Sequence, residues 1–184
     1  MRKPSIIAAP ALVLALSLVS CASGSTTNTS PRVRPTGTPI LPVKDNPISN
    51  TSTTKALVID SVKVEDNVDA AGKDVSDHLE VAVSNTGATD LGGIEIFYTF
   101  TDPKAKLSES YYVQLLPEFT IPAGGRRVVH FDNSGAPDHY QVSEFSLYKT
   151  SKKALEVSVI VSAKGAAVET STVKKDAGGA ETAD

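Results

Sequence analysis

The chain contains no tryptophan and a single cysteine, and aromatic residues make up 5% of its 184 positions. One thiol cannot form an intrachain disulfide, so cross-links contribute nothing to its stability. The missing cysteine pair and tryptophan also exclude an antibody-type domain, which is built around both. Histidine is scarce as well. His78, His130 and His139 are the only three, and no i, i+2 or i, i+4 ligand pair is apparent around them, so no joint zinc site is expected. No apolar run reaches the roughly 20 residues of a membrane-spanning helix. The longest, Ile6 to Val19, is interrupted by Pro10.

Positive charge is also not in excess. The formal net charge is −3. It becomes about −5 once residues 1–20, which carry two of the 18 basic groups and none of the 21 acidic ones, are set aside. A mildly acidic surface argues against nucleic acid as a partner and against direct adsorption on anionic lipid.

What is present divides the chain into four parts. Arg2 and Lys3 precede the apolar stretch Ile6 to Val19, which has the length of a signal-peptide core. It closes on Leu18-Val19-Ser20-Cys21. That tetrapeptide resembles the lipobox of bacterial lipoproteins. The resemblance implies that residues 1–20 are a lipoprotein signal peptide and that Cys21 carries a diacylglyceryl group, with or without a further N-acyl chain. The ordinary role of a free cysteine is a buried, inert thiol. Here Cys21 lies between an apolar leader and a polar stretch, with no core to bury it. Each buried CH₂ contributes roughly 0.8 kcal/mol, so two or three acyl chains hold a protein durably at a membrane where one would not. The resemblance further implies an extracytoplasmic location. In a diderm source Ala22, standing where an Asp would signal inner-membrane retention, favours the outer membrane.

Residues 21–54 are dominated by Ser, Thr, Pro, Asn and Gly, with Pro31, Pro35, Pro39, Pro42 and Pro47 spaced along them. So few large apolar side chains cannot offset the entropy of ordering, and a semi-extended, disordered linker is expected. Residues 55–165 carry the strand signals. Leu79, Val81 and Val83 alternate with polar or small residues, as do Ile94, Ile96, Tyr98 and Phe100, and Leu155, Val157, Val159 and Val161. Period two in three segments, with no competing helical period, predicts an all-β fold. A first strand over 56–64 shifts phase near Asp60-Ser61, which predicts a bulge. Further strands are expected over 108–115, 126–131 and 141–149, the last with Phe145 and Leu147 inward. Residues 166–184 are expected to add a short strand extension and then a frayed, disordered tail.

Turn chemistry fills the gaps, in Asn85-Thr86-Gly87, Asp102-Pro103, Pro122-Ala123-Gly124-Gly125 and Asn133-Ser134-Gly135-Ala136-Pro137. The N-T-G turn after Val83-Ser84, followed by Leu91, Ile94, Ile96, Tyr98 and then Ile121-Pro122-Ala123-Gly124, resembles many bacterial extracytoplasmic Ig-like domains. It implies an Ig-like or fibronectin-III-like two-sheet antiparallel sandwich of seven or eight strands, and is nearly silent on function.

Candidate chemistry is sparse. Asp66, Asp69, Asp74 and Asp77 form the best calcium candidates, but their spacing fails the EF-hand template, and a solvated strand connection is the simpler reading. Ser134, Asp138 and His139 lie close in sequence, yet no nucleophile elbow surrounds them, and triad members come from separate elements. No catalytic residue or cofactor is therefore assigned, and the chain is not expected to be an enzyme. Tyr111, Tyr112 and Phe119 are candidates for a partner-binding surface, with core or edge packing as the simpler role. The leading reading is a lipid-anchored binding or scaffolding module of the cell envelope with a protein or glycan partner. A carbohydrate- or small-ligand-binding accessory module is the second, and a hydrolase with unrecognised residues the third.

Overall fold

The computed structural model describes residues 40–65, 67–68, 71, 78–132, 134–143, 145–151, 153–175 and 181–182. Contacts divide the chain into Met1–Arg32 and Val33–Asp184, and every described residue belongs to the second unit. Among the described residues no helix is long and apolar enough to cross a membrane.

The fold is a β-sandwich. Its strands are β1 (Pro42–Val43), β2 (Leu57–Glu65), β3 (Asn67–Val68), β4 (His78–Asn85), β5 (Glu95–Asp102), β6 (Leu107–Gln114), β7 (Arg126–Phe131), β8 (His139–Tyr140), β9 (Leu155–Ser162), β10 (Glu169–Lys175) and β11 (Glu181–Thr182). Among the described residues one short helix, α1, covers Leu147–Thr150. A five-stranded sheet runs in the order β1-β6-β5-β9-β10 and a four-stranded sheet in the order β2-β4-β7-β8, while β3 and β11 form a small parallel pair. Strand β10, at the edge of the first sheet, packs beside β2, at the edge of the second.

The predicted alternation is what buries the core. Leu79, Val81 and Val83 from β4 meet Ile94, just ahead of β5, Ile96, Tyr98 and Phe100 from β5, and Leu155, Val157, Val159 and Val161 from β9 in one cluster between the sheets. The expected phase change in β2 is a register shift between Ile59 and Ser61 in its pairing with β4. The shift lets Leu57 and Val64 both face inward, which strict alternation over seven residues would forbid.

The two turn motifs that suggested the fold touch each other. Asn85 is buried, and its amide Nδ2 donates to the carbonyls of Thr89 (2.8 Å) and Ile121 (2.9 Å), while its Oδ1 accepts from Gly87 N at 2.8 Å. Leu91 and Ile121 exchange a reciprocal pair of backbone hydrogen bonds at 2.9 and 2.8 Å. A Cβ at residue 87 would lie 3.1 Å from both Ala56 Cβ and Asn85 Oδ1, so a side chain there would push on these neighbours.

Three expectations are corrected. The packed chain begins well before Lys55. Pro42 and Val43 pair with Tyr111 and Ser110 of β6, and Asn50 Nδ2 donates to Ser162 Oγ and to the carbonyls of Ala163 and Ala166 at 2.8–3.1 Å. Polar side chains here make specific bonds to the β9–β10 turn, so the segment is ordered without an apolar face of its own. Residues 141–149 do not form a strand. Ser146 caps α1 by accepting from Lys149 N, Thr150 Oγ1 donates back to Ser146 O, and local serine and threonine bonding of this kind outcompetes a ladder. Phe145 is consequently 89% exposed, while Tyr148, which strand phase placed outside, is fully buried. Finally, Glu181 and Thr182 pair with Asn67 and Val68 where a frayed tail was expected.

Candidate functional site

Strand β7 ends with His130 and Phe131 and is followed by Asp132. Phe131 is fully buried, so alternation turns His130 away from the core. The chain then makes a tight excursion through Gly135 (φ +71°) and Asp138 (φ +61°). Glycine reaches that region freely, and Asp tolerates it better than most residues. Arg127 anchors the excursion. Its guanidinium lies 4.5 Å above the Phe119 ring, and its Nη2 donates to Asp138 Oδ2 at 2.5 Å. Asp138 O in turn accepts from His130 N at 3.0 Å. The returning β8 therefore runs parallel to β7, with His139 opposite His130 and Tyr140 opposite Phe131.

This places two imidazoles face to face. The His130 and His139 rings have centroids 4.4 Å apart and an interplanar angle of 6°. His139 Nδ1 lies 2.7 Å from Asp132 Oδ2 and 2.8 Å from Ser134 Oγ. One donor atom from each of His130, Asp132 and His139 can be chosen so that all three lie within 4.8 Å of one another. Asp132 is buried, and burial disfavours its charged form. Hydrogen bonds from the backbone and side chain of Ser134 and from His139 outweigh that and hold its carboxyl below the usual range. It is therefore a carboxylate at neutral pH.

His130 and His139, far apart by sequence spacing, are brought together here. His130 and Asp132 are spaced i, i+2, a signal present in the sequence, and parallel pairing across the turn supplies His139. Ser134 and His139 do meet, with Asp132 rather than Asp138 as the carboxylate. Both Ser134 and Asp132 address the same ring nitrogen, Nδ1. In a serine-protease-type relay the nucleophile and the acid occupy opposite nitrogens, so this grouping is not that machine.

The other predicted residues are dispersed. Asp66, Asp69, Asp74 and Asp77 lie outside the described residues. Tyr111 and Phe119 are core residues, which corrects their candidacy for a binding surface. Tyr111 stacks on Tyr98 with centroids 5.2 Å apart and donates its hydroxyl to Glu109. Tyr112 is half-buried and donates to Glu95. Burial first, and then the hydrogen bond and charge of Glu95, push its phenol up to about 12. Of the ten aromatic residues, Phe145 is the one left largely exposed.

A second feature concerns the edge of the five-stranded sheet. Strand β6 is eight residues long, and β1 covers two of them. Leu41 beside β1 and Leu107 at the start of β6 are 69% and 56% exposed. Leu107 also lines a shallow groove with Leu147, Asp102, Thr150, Ser151 and Lys153.

No family model matches the chain. No curated protein matches it either. Solved structures that are similar include an alkylpurine DNA glycosylase from Pseudomonas fluorescens bound to DNA containing an abasic site analog, with TM-score 0.38, 11% identity, and coverage of 67% of this chain and 31% of that one. The archaeal flagellum of Methanospirillum hungatei gives TM-score 0.41 at 12% identity, covering 69% and 68%. The CARDB domain of a Pyrococcus furiosus protein, in complex with di-metal ions, gives TM-score 0.37 at 14% identity, covering 73% and 99%. At such scores these likenesses carry no argument about activity.

Proposed function

We propose that this protein is a lipid-anchored, extracytoplasmic β-sandwich that works by binding a partner of the cell envelope rather than by catalysis. Acylation of Cys21 holds it at the membrane, and the residues between Cys21 and Ile40 act as the spacer. The observation that carries the binding half of the reading is the edge of β6, which among the described residues pairs with β1 at two of its eight positions. On an edge strand, alternate residues direct N–H and C=O groups outward, and an extended segment of another chain can satisfy them by adding a strand. Natural sheets blunt such edges with charge, proline or a covering loop. Here Pro42 and Val43 cover Tyr111 and Ser110, while Leu107 at the start of the strand is exposed and, among the described residues, has no strand paired on that side. An apolar side chain there gives an incoming strand something to bury. A glycan-binding reading would favour a row of exposed aromatic rings, and most of this chain's rings are spent on its core.

The reading is tested by placing a photo-crosslinking amino acid at Leu107 in otherwise intact cells, with the exposed Glu118 as a control position. A discrete adduct with one envelope protein from position 107 and none from 118 is expected. Equal labelling from both positions, or no adduct at 107, contradicts docking at this edge.

A further inference from the structure

We propose that His130, Asp132 and His139 form a binding site for a divalent transition metal, with zinc the best fit. The side chains come from three places that the fold brings to one corner: the last outward-facing position of β7, the first residue beyond it, and the first residue of the parallel strand β8. Two imidazoles and a carboxylate are the donor set of borderline metals. Nitrogen donors argue against calcium and magnesium, which prefer oxygen throughout. Three protein ligands leave a fourth tetrahedral position for water, the pattern of open rather than closed zinc sites.

The geometry requires small movements. Zinc–ligand bonds of about 2.0–2.1 Å at tetrahedral angles place donors roughly 3.3 Å apart. His139 Nδ1 and Asp132 Oδ2 are now 2.7 Å apart across a hydrogen bond. All three donors already fall within 4.8 Å. The metal takes the place of the proton between Nδ1 and the carboxylate; that proton passes to solvent while Nε2 holds or takes up one, so the ring binds as neutral imidazole. The His130 ring must tilt out of its parallel stack so that its in-plane lone pair points at the ion. Histidine χ2 is a broad, soft torsion, so a range of ring orientations is open to it. The other oxygen of the carboxylate, Oδ1, stays fixed by Ser134 N at 2.8 Å. The Arg127–Asp138 pair at 2.5 Å and the His130 N to Asp138 O bond hold the two strands in register on the side away from the donors. The fold thus supplies a fixed support beneath the three donor groups.

The experiment uses the full chain, purified in detergent and treated with chelator, and titrated with zinc chloride by calorimetry. Ring resonances of the three histidines are followed by NMR in parallel. Zinc is expected to bind with one equivalent and to shift the ring nitrogens of His130 and His139, leaving His78 unmoved. His130→Gln, His139→Gln and Asp132→Asn should each weaken binding by about 10- to 100-fold or more. Asp132→Asn keeps the side-chain oxygen that caps the turn, so it separates loss of a ligand from loss of the fold. His78→Gln should bind as the parent does. The proposal is overturned if zinc produces no saturable binding, if the shifted resonance belongs to His78, or if Asp132→Asn and both glutamine variants bind zinc as tightly as the parent while remaining folded by circular dichroism.

Discussion

Tyr98→Ala is expected to lower the unfolding free energy by about 3–5 kcal/mol, the range for deleting a large aromatic side chain from a core. Tyr98 is fully buried at the centre of β5. Its ring lies 4.8 Å from Phe131, 5.2 Å from Tyr111 and 5.6 Å from Phe100, so one side chain joins both sheets. Domains of this size are stable by about 5–15 kcal/mol, and the loss would be a large share of it. The Tyr98→Phe variant separates the ring from its hydroxyl. That oxygen is buried and, among the described residues, has no hydrogen-bond partner. Burial, and then the nearby Tyr111 and Glu109, raise its pKa well above the ordinary phenol value, so it stays neutral. An unpaired buried hydroxyl costs about 1–3 kcal/mol of desolvation. Tyr98→Phe should therefore match or exceed the parent in urea unfolding. A clear loss in Tyr98→Phe would show that the hydroxyl is satisfied, and a loss under about 1 kcal/mol in Tyr98→Ala would show that the ring does not organise the core.

Lys175→Met is expected to cost about 2 kcal/mol, close to the value of charge-assisted hydrogen bonds removed without loss of chain length. Lys175 ends β10 and is 2% exposed. Its Nζ donates to Tyr148 O at 2.9 Å and Ser151 O at 3.3 Å, and lies 4.6 Å from the centre of the Tyr148 ring. The ammonium thus serves carbonyls at the C-terminal end of α1, where helical carbonyls lack intrahelical donors. Tyr148 stacks on Phe100 with centroids 5.1 Å apart and donates its hydroxyl to Glu65 O. The lysine therefore ties β10 to α1, and α1 to both sheets. Hydrogen exchange should accelerate at the amides of residues 173–175 and 148–151 before the rest of β10 loosens. An unchanged midpoint in denaturant, with unchanged exchange in both segments, would contradict this role.

The sandwich was legible because its information is local. Leu79 to Val83, Ile94 to Phe100 and Leu155 to Val161 each state their face by strict alternation, and Asn85 and Gly87 state a turn through backbone chemistry. Strand β1 was not legible, because a two-residue strand containing proline has no period, and its ordering rests on distant partners in β6 and the β9–β10 turn. The segment 141–149 misled because Phe145 and Leu147 mimic alternation while Ser146 fixes a cap. The histidine corner was half legible. His130 and Asp132 are a visible i, i+2 pair, but bringing His139 beside them depends on the positive φ of Asp138 and on the grip of Arg127, neither of which spacing reveals.

The proposed attachment through Cys21 is tested by the mass of the mature N-terminus. Cells labelled with palmitate should yield a protein whose N-terminal peptide begins at residue 21 and carries a diacylglyceryl thioether. The Cys21→Ser variant should incorporate no label and retain residues 1–20. A mature protein with a free Cys21 thiol, or labelling that persists in Cys21→Ser, would contradict the claim.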